Sequence, residues 1–361
     1  MTEQRTVRLM GVLDGCTNPE SAELLPDGET IVFGNCRLVV GLPFFRAGKA
    51  LVYLRGEAFV SRARLSAEGK LEVEERHLID GLSATLGCDV LRTDTADFPA
   101  GTVFHVAGGG PVTDGERAAL VAPEPEVLIY DPLRGALLGR LPLGPDSVLG
   151  RRFNGLEQPN GCAVDSKGTL YVGDIPNTNP DPDPAAPPPV PPAVYRIPAG
   201  AIRGLVDGVE GAADEVRRVV MPGYVNGLTI SPLDDVCWAV SCSVVDPVKG
   251  GLYRLDAEAF ETGVQPDPVH RDLGVLDGVG VTRRGTQIVS NPRTGDITAF
   301  PVDGPPVLLV SDEPHPVKAP ADFNVVYPTA LGGEPALLVP DIGVGYEPGT
   351  ASIAVFDLTG L

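Results

Sequence analysis

No stretch of this 361-residue chain is apolar over enough residues to cross a membrane as a helix, and Met1 to Leu13 lacks the charged-then-apolar layout of an export signal. A cytoplasmic protein is the expectation. Basic residues are scarce: 28 Lys and Arg stand against 48 Asp and Glu, a net charge of −20, and they form no cluster. Phosphate backbones and anionic membranes are held by such clusters, so neither nucleic acid nor membrane is an expected partner. The six cysteines (Cys16, Cys36, Cys88, Cys162, Cys237 and Cys242) include no CxxC pair, which removes a zinc ribbon or dithiol motif. Buried free thiols are expected, with a Cys16 to Cys36 bridge left open. No GxGxxG follows a strand and no GxSxG occurs, so a dinucleotide fold and a serine nucleophile elbow find no support.

Glycine and proline, by contrast, are plentiful at 44 and 37, and they punctuate short elements. One plan recurs: a polar residue, an apolar-rich run, a tight turn, a β-rich run and a closing polar residue. Glu20 to Asn35 (ESAELLPDGETIVFGN), Asn160 to Asp174 (NGCAVDSKGTLYVGD), Asn226 to Ser241 (NGLTISPLDDVCWAVS) and Asp277 to Asn291 (DGVGVTRRGTQIVSN) follow it closely. Looser copies begin at Asp89 and Asp322. Third strands are expected at Ala50 to Leu54, Val127 to Asp131, Ala193 to Ile197, Gly251 to Leu255, Asp296 to Pro301 and Ser352 to Leu358, with Thr6 to Met10 as the outer strand of the last unit. The whole, residues 1–361, reads as one all-β domain, a six-bladed β-propeller of four-stranded antiparallel blades around a central channel. A β-sandwich would explain the strands but not hairpins that all begin on a polar residue. Helix is expected only at Ala199 to Leu205 and near Asp256 to Thr262. The proline-rich stretch 175–193 (IPNTNPDPDPAAPPPVPPA) is an insertion in blade three, either a lid over the channel mouth or a passive loop.

Innermost propeller strands start beside the channel, so the six hairpin-leading residues Glu20, Asp89, Asn160, Asn226, Asp277 and Asp322 should converge. Carboxylates and amide oxygens, without His or Cys, suit a hard cation with six to eight oxygen ligands. One divalent metal is expected, calcium foremost, with magnesium, manganese, zinc or iron as further options. Hairpin-closing Asn35, Asp174, Ser241, Asn291 and Asp341 return to the same face, where they either orient substrate and ligands or cap strand ends. Of His77, His105, His270 and His315, the last lies nearest a hairpin leader, Asp322, and is the best candidate for contact with substrate.

These segments resemble the family of senescence marker protein, gluconolactonase and luciferin-regenerating enzyme, whose wider relatives include diisopropyl fluorophosphatase and the paraoxonases. PNGCAVDSKGTLYVGD is similar to the family's PNG-then-hairpin phrase; VNGLTISPLDD and LDGVGVTRRGTQIVSN repeat it with Val225 and Leu276 in place of proline, and NPESAELLPDGETIVFGN resembles the segment carrying its metal-binding glutamate. The departures are Ser21 where glycine is common, no tryptophan after it, and the proline-rich insertion. The resemblance implies Glu20, Asn160, Asn226 and Asp277 as metal ligands. It implies opening of a lactone or related cyclic ester of a small-molecule substrate. Asp277 is the candidate general base, since a ligand carboxylate can keep one oxygen free to receive a proton, and Asp89, Asp322, His315, Asn35 and Asp174 are candidate substrate contacts by their places on the hairpins and loops. Phosphotriester cleavage, a non-hydrolytic tailoring reaction and a non-catalytic scaffold are the competing expectations.

Overall fold

Short apolar runs between Gly- and Pro-rich turns make strands, and in the computed structural model they form an all-β, propeller-like arrangement with few helices. The structure describes residues 3–45, 48–109, 112–113, 118–119, 125–153, 156, 158–175, 190–242, 249–314, 317–343 and 350–361. Most of the proline-rich insertion lies outside them, as does His315. No helix among the described residues is long and apolar enough to cross a membrane.

Three four-stranded units follow one another outward from the axis: Ala22–Leu24, Thr30–Asn35, Ala58–Leu65 and Leu71–Leu82; then Thr85–Val90, Val103–Ala107, Glu126–Asp131 and Ala136–Pro142; then Pro159–Val164, Leu170–Asp174, Ala193–Ile197 and Arg217–Val220. A three-stranded unit joins Tyr224–Ile230, Cys237–Cys242 and Gly251–Leu255. The remaining strands do not separate into the two further equal blades expected. Val279–Val281, Gln287–Asn291, Asp296–Phe300 and Val307–Ser311 continue through Glu3–Asp14 into Ser352–Asp357, Ala336–Asp341 and Asn324–Val326, one eight-stranded sheet. The cause is Glu3–Asp14. Its first residues, Glu3 to Val7, pair in parallel with Val307–Ser311, and beyond them Arg8 to Asp14 pair antiparallel with Ser352–Asp357 across a bulge at Leu9/Gly11.

A second departure concerns the first unit. Ala50 to Leu54 is the third strand expected there, yet Ala58–Leu65 takes that place against Thr30–Asn35. Gly48–Leu54 instead joins Leu38–Phe45, Val112–Thr113 and Ala118–Ala119 in an added four-stranded sheet. The other expected third strands are present, and the helices Ala199–Val206 and Ala257–Thr262 form where expected, the latter N-capped by Asp256 accepting from Ala259 N at 3.0 Å. A further helix, Val148–Phe153, carried no signal that was read.

Burial falls off toward the outer strands. Thr30–Asn35, Val103–Ala107, Leu170–Asp174 and Ala336–Asp341 are buried at every residue, whereas the outer Leu71–Leu82 is buried only at its two ends. The innermost strands touch in one closed cycle: Ala22–Leu24, Thr85–Val90, Pro159–Val164, Tyr224–Ile230, Val279–Val281, Asn324–Val326 and back to Ala22–Leu24. That cycle surrounds the channel.

Candidate functional site

Adjacent inner strands pack so closely that their register can be read from the residue beside each polar leader. A Cβ on Gly161 would stand 2.4 Å from the Asn226 carbonyl oxygen, and one on Gly227 would stand 2.3 Å from that of Asp277. Only glycine permits this approach. Gly87 meets Asn160 O and Gly278 meets Ala321 O in the same way. Ser21 completes the ring, bridging Asp322 on one side while its hydroxyl donates to Leu86 O on the other. Equivalent positions around the channel are therefore Glu20, Leu86, Asn160, Asn226, Asp277 and Ala321. Four are oxygen donors and two are apolar.

Hydrogen bonds connect three of the four. Asn160 Nδ2 donates to Asn226 Oδ1 at 3.1 Å, Asn226 Nδ2 donates to Leu276 O at 3.2 Å, and the Glu20 carboxylate accepts from the Asn160 side chain. Burial pushes the Glu20 carboxyl up to about 7 against that hydrogen bond. Burial, with the charge of Glu20, holds Asp277 well above the usual carboxylate range. Asp322 is shifted the same way by burial and then by Asp277, Glu20, Asp89 and Glu23, all of them acids. Asn160 Oδ1, Asp277 Oδ1 and Asp322 Oδ1 are buried without a hydrogen-bond partner. Such groups carry a cost of about 1–3 kcal/mol each, more when charged, unless a ligand meets them.

A cation is the natural ligand for this donor set, and its chemistry fits: two carboxylates and two amide oxygens, with acceptor atoms left over. Among the described residues no three His, Cys, Asp or Glu side chains are placed to hold a metal by themselves.

The other candidates fall elsewhere. Asp89 lies three residues further along its strand than Leu86, the ring position, and both its oxygens are committed: Oδ1 accepts from Val90 N and Oδ2 from Val164 N, each at 2.7 Å. It staples two strands and does not face the ring. Asp322 is one residue past the ring position, with Oδ1 2.9 Å from where a Gly227 Cβ would stand. Asn35 Oδ1 accepts from Thr17 N at 3.0 Å, Asp174 Oδ1 from Gln158 N at 3.0 Å, and Asp341 Oδ2 from Lys318 N at 2.7 Å. These hairpin closers brace the chain entering Glu20, Asn160 and Asp322. Beside Asp277 it is Ser290 that plays this part, its Oγ accepting from Gly278 N at 2.7 Å, while Asn291 Oδ1 stabilises a turn by accepting from Arg293 N at 3.1 Å. The described histidines stay out of the site: His77 pairs with Asp80, His270 stacks on Phe300, and His105 is buried against Tyr130 with its pKa lowered to about 3 by burial. All six cysteines are buried and free, so no Cys16 to Cys36 bridge forms.

No protein-family model and no curated protein matches the chain. Solved structures do. Luciferin-regenerating enzyme superposes with a TM-score of 0.53 at 13% identity, covering 97% of this chain and 95% of its own. A structure named as a "putative gluconolactonase" gives 0.52 at 14%, covering 98% and 92%. These are neighbours that the sequence resemblance names, and over nearly its whole length the chain has their fold.

Proposed function

We propose that the chain is a divalent-metal-dependent hydrolase that opens a lactone or a related cyclic ester. One observation carries this reading: Glu20, Asn160, Asn226 and Asp277 occupy equivalent positions on or just ahead of four inner strands, with Asn160 Oδ1 and Asp277 Oδ1 buried and unpartnered. The propeller is read as six-bladed and as one domain, the eight-stranded sheet counting as two blades sharing Glu3–Asp14. The closed cycle of six inner strands supports that count. A neighbour named for gluconolactonase supports the reaction class by analogy of fold.

Glu20, Asn160, Asn226 and Asp277 would hold the cation, calcium foremost. When bound, such an ion supplies Lewis-acid polarisation of a carbonyl oxygen and acidification of water. Asp277 takes the proton of the attacking water on its second oxygen. Leu86 and Ala321 offer no side-chain donors, so substrate oxygens and water would complete the shell. Asn35, Asp174 and Asp341 keep the strand entrances fixed.

Metal analysis of the purified protein, joined to turnover on sugar lactones, aliphatic lactones, aryl esters and phosphotriesters, tests the proposal. The expected result is one divalent ion per chain and ring opening that chelation abolishes and added metal restores. Phosphotriester cleavage without ring opening would shift the substrate class. Neither metal nor turnover would leave a binding scaffold.

A further inference from the structure

At the opposite end of the channel the hairpin turns enclose a cavity of about 570 Å³, lined from all six innermost strands or their turns. Metabolite pockets are commonly about 300–1,000 Å³. Its walls include Leu24, Ile230, Val281 and Val325. Its charged groups are unequally committed. Glu23 Oε1 accepts from Arg92 at 2.6 Å and from Leu24 N at 2.7 Å. Asp89 is spent on two backbone N–H groups, Asp234 pairs with Arg254 at 2.9 Å, and Asp235 accepts from Ser166 N and Oγ at 3.0 and 2.7 Å. Every acid of the lining is thus engaged.

Arg283 is different. Among the described residues no carboxylate pairs with it, and its guanidinium lies 3.7 Å from the centre of the Tyr327 ring, whose hydroxyl accepts from Arg283 N at 2.7 Å. Arg92 also lines the cavity, but its guanidinium is already held by Glu23 and by Leu24 O. We propose that this cavity is a second ligand site that takes a small organic carboxylate, its anionic end on Arg283 beside Tyr327 and its apolar body against Leu24, Ile230, Val281 and Val325. The planar fork of arginine matches a carboxylate in two parallel hydrogen bonds, and stacking on Tyr327 holds that fork in place. Nothing in this assignment depends on the metal or on hydrolysis.

Benzoate is the probe, with benzamidinium as its charge-reversed counterpart, each titrated into the full chain by calorimetry. Benzoate should bind and benzamidinium should not. Arg283→Ala should weaken benzoate at least about tenfold and Arg283→Lys less, while Arg134→Ala, on an exposed turn outside the cavity, should change nothing. Asp277→Ala should leave benzoate binding intact, which separates this site from the acid ring. Preference for benzamidinium, absence of benzoate binding, or full affinity in Arg283→Ala would each overturn the assignment.

Discussion

Two groups of buried carboxylates share one channel, and they are treated in opposite ways. Toward the hairpin turns, Glu23 and Asp89 have their oxygens taken by Arg92 and by the amides of Leu24, Val90 and Val164. Toward the strand starts, Asp277 and Asp322 each keep an oxygen with no partner, and the charges acting on them are negative. A buried acid that is satisfied belongs to the structure. One left unsatisfied persists only when something outside the chain compensates it or when function requires it. Position in the same channel therefore says less than partners do.

The sharpest way to break this comparison is to delete one acid from each end. Asp277→Ala removes a ligand and the proposed base, so turnover should fall at least about a thousandfold, and excess calcium should not restore it fully. In chelator the same variant should be no less stable than the parent, because an unpartnered buried acid has gone. Normal turnover and metal content in Asp277→Ala would displace the site from this ring.

The metal-free protein should also show the strain of the unpaired end in its pH dependence. Folding raises the Glu20 carboxyl from 4.5 to about 7, so the folded state holds a proton that the unfolded chain has released. Stability contributed in this way is complete below the lower value and is lost as pH rises through the higher. Asp277 and Asp322, shifted in the same direction, extend the loss upward. With chelator, the thermal midpoint should drop by several degrees between about pH 5 and about pH 7.5; with saturating calcium the slope should shrink to the part left by Glu23 and Asp89, which burial raises to about 7 and about 6. A chelated protein whose midpoint rises over the same window would contradict the unpaired assignment.

At the satisfied end the expected change is one of stability. Asp89→Ala strands the amides of Val90 and Val164 and should cost about 1–3 kcal/mol in urea unfolding, with turnover per folded molecule within a few-fold of the parent. A severe loss of turnover at full stability would return Asp89 to the reacting centre.

Asp89 also marks where reading the sequence succeeds and fails. Inner hairpins such as TIVFGN and LYVGD are legible because burial on both faces writes continuous apolar runs. Outer strands such as Leu71–Leu82 are not, since mostly exposed residues like Glu74, Glu75 and Arg76 carry no alternation. Ala50 to Leu54 reads as a blade strand as readily as Ala58–Leu65 does, and only pairing separates them. Four ring residues were found because each leads its hairpin in the same register. Asp89 leads nothing: its strand begins at Thr85, and the ring position falls on Leu86, an apolar residue that no search for donors would select. Ser290 stayed hidden because its hydroxyl acts through the backbone of Gly278.

Asn226→Asp is the gentlest test of the comparison, because it alters charge while keeping an oxygen in the ring. Two effects oppose each other. The new carboxylate cannot donate to Leu276 O, a bond of 3.2 Å in the parent, and it adds negative charge beside Asp277 and Glu20. With the cation bound, the added charge is offset and the ligand oxygen remains, so metal affinity should change by less than about tenfold. Without the cation it deepens the repulsion already present, so the chelated variant should unfold at lower temperature than the chelated parent. The gap between loaded and stripped midpoints should therefore be wider in Asn226→Asp than in the parent, and narrower in Asp277→Ala. Equal gaps in all three proteins would mean that the unpaired oxygens do not meet a metal, and the two ends of the channel would then differ in packing alone.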